Sequence, residues 1–150
     1  METDNDANAV VIFVHGSPGS LDAFIHFLTD SILLQRAVLV SVDRPGFGQS
    51  NFGVAEPSLH QQGELLMPLL NRYKKENKSI FLVGHSLGGP LIARMAIDHP
   101  DLVDDSYWWR LQSTPTWNRT KHGFALLCRR RCSVGYCRVR CARATTRSII

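Results

Sequence analysis

Three unbroken apolar stretches punctuate the first two-thirds of the chain: Val10-Val11-Ile12-Phe13-Val14, Ala37-Val38-Leu39-Val40-Ser41-Val42 and Ser79-Ile80-Phe81-Leu82-Val83. They are rich in β-branched residues and show no polar alternation, which predicts strands covered on both faces. The segments between them carry a helical period. After Ser20, a plausible N-cap, Leu21, Phe24, Ile25, Leu28 and Ile32 fall on one face. A second helix is expected between Ser58 and Lys75, with Leu65, Leu66, Leu69, Leu70 and Tyr73 as its apolar face. Gly63 weakens it, and Pro68 is expected to kink it. A third helix runs from Leu87 to about Asp98 and is closed by His99-Pro100, because a residue before proline is pushed out of the helical region.

Strand alternating with helix three times predicts an α/β fold whose parallel sheet is joined by right-handed crossovers. In such sheets ligands bind beyond the C-terminal strand ends. Three loops rich in glycine or proline leave the strands at that edge: His15-Gly16-Ser17-Pro18-Gly19-Ser20, Asp43-Arg44-Pro45-Gly46-Phe47-Gly48-Gln49-Ser50, and Gly84-His85-Ser86-Leu87-Gly88-Gly89.

The third loop carries chemistry. Gly-x-Ser-x-Gly between an apolar strand and a helix suits a sharp turn that holds the serine at strained backbone angles, with flanking glycines letting strand and helix pass closely. The Ser86 hydroxyl would project from that turn, and the first helical N–H groups would point at whatever it attacks. The plainer reading is a glycine-rich turn whose serine caps the helix. His85 reads as a packing residue directed away from the catalytic edge.

Taken in order, the three loops resemble those of the α/β-hydrolase family, in its branch of esterases, peptidases and related small-molecule hydrolases. The resemblance covers roughly residues 8 to 105, the N-terminal half of such a domain. It implies that Ser86 is the nucleophile, and that the backbone N–H groups of Ser17 and Leu87 form the oxyanion hole. It also implies that the Val10–Val14 strand lies between the other two. The elbow strand, Ser79–Val83, is expected at an edge of the sheet. The parent chemistry is acyl transfer from a carboxylic ester or related small-molecule substrate to water, with no cofactor and no metal. The family normally has strands before the His-Gly loop, so the start reads as short.

The pattern breaks near Asp105. In this family the nucleophile is followed in the chain by an acid and then a histidine, each on a later loop. Asp98, Asp101, Asp104 and Asp105 come too early to supply the acid, and no Asp or Glu follows them. One histidine remains, His122, with no strand leading into it; as the base it is a poor candidate beside its reading as an exposed residue of an irregular tail. Charge changes at the same point. Residues 1–105 hold 7 Lys/Arg and all 13 Asp/Glu, whereas residues 106–150 hold 10 Lys/Arg and no acid. Leu, Ile, Val and Phe account for 8 of those 45 residues, below the ~20% under which charged chains tend toward disorder. Two regions are therefore expected: a partial α/β-hydrolase domain at 8–105 and an irregular, Arg/Cys-rich tail at 106–150.

All four cysteines, Cys128, Cys132, Cys137 and Cys141, fall in that tail. Only four residues separate the two pairs, against the ~12–20 that zinc modules generally need, so incidental thiols are the better reading. The Arg129-Arg130-Arg131 run could hold phosphates of nucleic acid or anionic lipid without sequence preference. The acidic opening Met1-Glu2-Thr3-Asp4-Asn5-Asp6 does not read as a secretory leader, and no run of ~18 apolar residues could span a membrane. A cytoplasmic location is expected. Translation out of frame, or of an altered transcript, would produce such a tail. The coding sequence beyond Asp105 would then hold, in another frame, a strand, an acid and a histidine. Two other readings remain: a non-catalytic relative or fragment acting by binding, and a nonspecific binder of anionic polymers or membrane surfaces through the basic tail. Substrate identity and oligomeric state are not legible.

Overall fold

The computed structural model describes residues 1–109 and 136–139. Five strands, β1 (Ala9–Val14), β2 (Val38–Val42), β3 (Ser79–His85), β4 (Asp105–Trp109) and β5 (Tyr136–Val139), form one sheet in the order β2-β1-β3-β4-β5. β2, β1, β3 and β4 are parallel, and β5 runs antiparallel to β4. The three strands expected from the apolar runs are thus parallel neighbours, with β1 in the middle.

The uninterrupted apolar runs are explained by cover on both faces. Val10, Ile12 and Val14 of β1 pack with Val38, Val40, Ile80 and Leu82 beneath α3 (Leu59–Lys75) and α4 (Gly88–Asp98). Phe13 and Leu39 turn to the other face, where Phe24 and Leu28 cover them. Alternate residues of one strand therefore enter two different cores. The chain leaves β1 along one face and β3 along the other, so a crevice opens between their C-terminal ends.

Several expectations change. The first helix is not continuous: a 3₁₀ turn (Leu21–Phe24) leads into α1 (Ile25–Leu28), and a separate α2 (Ser31–Leu34) is capped by the Asp30 side chain, which accepts from Ile32 N and Leu33 N. Ser20 is the N-cap of that turn, its carbonyl accepting from Ala23 N at 3.1 Å, but its side chain makes no capping hydrogen bond. Phe24 and Leu28 are buried, but Ile25 and Ile32 face solvent. In α3 the Ser58 hydroxyl does cap the helix, accepting from Gln61 N, and the helix runs unbroken through the exposed Pro68. Its buried face is Gln62, Gly63, Met67, Leu70 and Tyr73, while Leu65 points outward.

The largest correction lies past Asp105. The expected break there is overrun by β4, which pairs with β3 in register from Phe81↔Asp105 to His85↔Trp109. The elbow strand is therefore internal and not an edge. Tyr107, Trp108 and Trp109 are strong strand formers, a signal outweighed by the loss of aliphatic residues. β5 places Cys137 in the sheet as well. At the opposite edge, β2 is covered by the first residues of the chain: Thr3 N donates to Leu39 O at 3.0 Å and Ser41 N donates to Met1 O at 2.9 Å. These bonds occupy backbone groups that an open edge would leave unpaired. No helix among the described residues is long and apolar enough to cross a membrane.

Candidate active site

β3 ends at His85 and α4 begins at Gly88, so Ser86 sits in the tight turn between them with φ 51°. Among the described residues the other non-glycine positions at positive φ are Asn51 and Asn77, a type that tolerates the left-handed region. A serine there is strained by about 1–3 kcal/mol. The turn is possible because helix and strand touch backbone to backbone. A Cβ on Gly88 would lie 2.2 Å from Val14 O, inside any real contact.

The loop after β1 closes on this turn. A Cβ on Gly16 would stand 2.9 Å from Ser86 Cβ and 3.3 Å from His85 Nδ1. Gly16 is therefore flush against the serine, and the His85 ring packs on the same loop. His15 is completely buried behind it. Arg44 N–H donates to His15 Nε2 at 3.0 Å, which leaves the ring proton on Nδ1, and Nδ1–H donates to Gly16 O at 2.7 Å. Burial pulls His15 below the ordinary imidazole pKa, opposed by its bond to Gly16, and the nearby Arg44 charge lowers it further. The ring is thus held neutral in the one tautomer both bonds require. Because the Gly16 carbonyl and the Ser17 N–H belong to one planar trans peptide, holding the first fixes the direction of the second.

The same three-loop arrangement has a family counterpart. The model of the alpha/beta hydrolase fold matches residues 9–105. The chain belongs to the α/β-hydrolase fold family. Among curated proteins it is similar to the dihydrolipoyllysine-residue acetyltransferase component of the acetoin cleaving system of Cupriavidus necator, 33% identical over 93 residues, which are 62% of this chain and 24% of that protein. Among solved structures, a marine microorganism esterase superposes with a TM-score of 0.59 at 25% identity, covering 71% of this chain and 38% of the esterase. MenH from S. aureus superposes with a TM-score of 0.56 at 26% identity, covering 65% and 36%. This α/β-hydrolase chain thus spans about a quarter of that curated relative's length and less than two-fifths of either structure.

The second loop supports the hydrolase crevice from below. Asp43 Oδ1 accepts from Leu21 N at 2.7 Å and Oδ2 from Gln49 N at 3.0 Å, tying the start of the 3₁₀ turn to the loop after β2. Gly48, at φ 53°, leaves room for that carboxylate: a Cβ there would lie 2.2 Å from Asp43 Oδ2. Arg44 is buried too, its guanidinium 4.6 Å from the centre of the Phe47 ring. Asp43 and His15 are supporting residues that the loop sequence did not single out, although both lie in loops it marked.

At the mouth, Ser17 and Leu87 are exposed, and no hydrogen bond among the described residues takes up either backbone N–H. The remaining titratable groups lie elsewhere. His60 Nδ1 meets Asp98 Oδ2 at 2.9 Å and His99 Nε2 meets Glu64 Oε1 at 2.7 Å, both bridging α3 to the end of α4. Asp104 Oδ2 accepts from Ile80 N at 2.9 Å, and Asp105 is buried at the start of β4. Both carboxylates sit at the N-terminal end of the sheet, opposite Ser86. His122, Arg129-Arg130-Arg131, Cys128, Cys132 and Cys141 lie outside the described residues. Among the described residues no three His, Cys, Asp or Glu side chains gather as metal ligands.

Proposed function

We propose that this chain carries the nucleophile side of a serine-hydrolase site for carboxylic esters or related small acyl substrates. The observation that carries the reading is Ser86 held at φ 51° between β3 and α4 with Gly16 flush against it. In this reading Ser86 Oγ attacks the substrate carbonyl and the developing oxyanion is held by Ser17 N–H and Leu87 N–H. Collapse of the tetrahedral intermediate breaks the ester C–O bond, the alcohol leaves carrying the proton, and water then attacks the Ser86 acyl ester to release the acid and restore the hydroxyl. The esterase among the solved relatives acts, by its name, on this class of bond.

The attack needs a base for the Ser86 proton, and the base needs an orienting acid. His15, His60 and His99 are committed to Arg44 and Gly16, to Asp98 and to Glu64. Asp104 and Asp105 are at the wrong end of the sheet. Among the described residues no histidine–carboxylate pair is placed to serve Ser86, so turnover near background is expected, accelerated by preorganised amides and substrate binding. Hydrolysis of p-nitrophenyl acetate by the purified chain tests this. A slow excess over buffer that disappears in Ser86→Ala is expected. Saturable turnover lost in both Ser86→Ala and His122→Ala would make His122 the base and overturn the incomplete-site reading. A rate untouched by Ser86→Ala would remove the nucleophile assignment altogether.

A further inference from the structure

β4 brings a residue to the elbow that the three-loop pattern does not contain. Trp108 pairs in register with Gly84, one strand over from the turn. Its Nε1–H donates to the carbonyl of Ser86 at 3.1 Å, and the same oxygen accepts Gly89 N–H at 3.0 Å from the first turn of α4. The indole also fills the space beside Gly89: a Cβ there would lie 1.9 Å from Trp108 Cδ1.

Two donors from different elements thus converge on one carbonyl, that of the strained residue. Relaxing Ser86 toward negative φ would swing this carbonyl away from both. A left-handed non-glycine residue persists only where its surroundings over-determine it, and β4 supplies part of that constraint. The Ser86 carbonyl also shares a planar peptide with Leu87 N–H, so fixing the oxygen aims the amide the opposite way. The arrangement parallels the other side of the crevice, where the His15 ring N–H holds Gly16 O and thereby the Ser17 amide.

We propose that Trp108 is a positioning residue of the nucleophile elbow, holding the Ser86–Leu87 peptide so that Ser86 keeps its strained geometry and Leu87 N–H faces the crevice. This rests on Ser86 being the nucleophile and on Leu87 serving the oxyanion hole, and the test separates the three. Trp108→Phe keeps a ring and removes the donor. Its effect is read in two ways: Ser86 acylation by p-nitrophenyl acetate, and amide hydrogen exchange of Gly89, whose N–H shares the Ser86 carbonyl.

The expected result is an acylation rate constant lower by about three- to tenfold, the range for one neutral hydrogen bond. KM should change little, and exchange at the Gly89 amide should quicken. A merely structural tryptophan would lower the melting temperature without splitting the rate constant from KM. If wild type shows no Ser86-dependent acylation, the nucleophile assignment fails and exchange alone decides the clamp. Unchanged exchange in Trp108→Phe overturns the proposal, as does an unchanged acylation rate in an active protein.

If Trp108→Phe does not fold, exchange of the Trp108 indole N–H carries the test in wild type and in Ser86→Ala, which keeps the carbonyl. Protection in both supports the clamp. Exchange as fast as a free indole overturns it.

Discussion

At the scale of single residues, the site depends on two buried or half-buried ring donors and on glycines that admit backbone where a side chain would collide. His15 is the one with a pH signature. Burial and the Arg44 charge lower its folded-state pKa below that of an unfolded histidine, about 6.5. As pH falls through that value the unfolded chain takes up a proton that the folded chain refuses. The contribution is therefore complete above about pH 6.5 and declines below it, until the folded pKa is reached. The urea midpoint should drop between pH 7.5 and 5.5, and more steeply for wild type than for His15→Gln, which cannot titrate. Equal slopes in the two proteins would show that the ring is already protonated or accessible in the folded state. His15 was legible as part of a glycine- and proline-rich loop. Its tautomer was not, because Arg44 N–H comes from a loop 29 residues away.

At the scale of elements, the apolar face of α3 differs from the expected one at its edge: Leu66, Leu69, Leu70 and Tyr73 pack on the core as expected, Leu65 does not, and Met67 joins them. Leu65 counted as part of the face, yet it is 62% exposed, while Leu70 is fully buried with Met67 and Tyr73. Five apolar residues in the run Leu65-Leu66-Met67 and Leu69-Leu70 leave more than one stripe possible, and contact with α4 and the sheet selects among them. Leu70→Ala should cost about 2–5 kcal/mol, whereas Leu65→Ala should stay within about 0.5 kcal/mol. Denaturant unfolding of the two variants measures both. Similar losses for the two would return Leu65 to the core. The 3₁₀ turn, α1 and α2 show the same effect: the period was present, but Asp30 caps a new helix within it and so divides it.

At the scale of the whole molecule, the sheet is closed on one side by the first residues of the chain and continued on the other by β4 and β5. β3, the strand that ends in the elbow, is paired on both sides as a result. Removing residues 106–150 should strip that cover and leave a parallel apolar edge, which invites edge-to-edge association. Light scattering is expected to show the shortened chain associating at concentrations where the full chain does not. A shortened chain that remains monodisperse would mean that β4 contributes no protection to the edge. The basic character of this region, ten Lys/Arg without an acid, does not prevent four of its first residues from entering the sheet, because backbone pairing with β3 is indifferent to net charge.

The local patterns alone determined the three central strands, their parallel arrangement and the strand–turn–helix setting of Ser86. Each depends on residues close in sequence: a β-branched run, a glycine that permits close approach, a proline that stops a helix. Only the tertiary structure decided that Met67 and not Leu65 completes the buried face of α3, that Asp43 joins two loops, that His15 is held neutral by a distant amide, and that Trp108 reaches the Ser86 carbonyl. Those outcomes depend on groups brought together from separate strands. A side chain's partner across a sheet is set by register and crossover, and no local period encodes it.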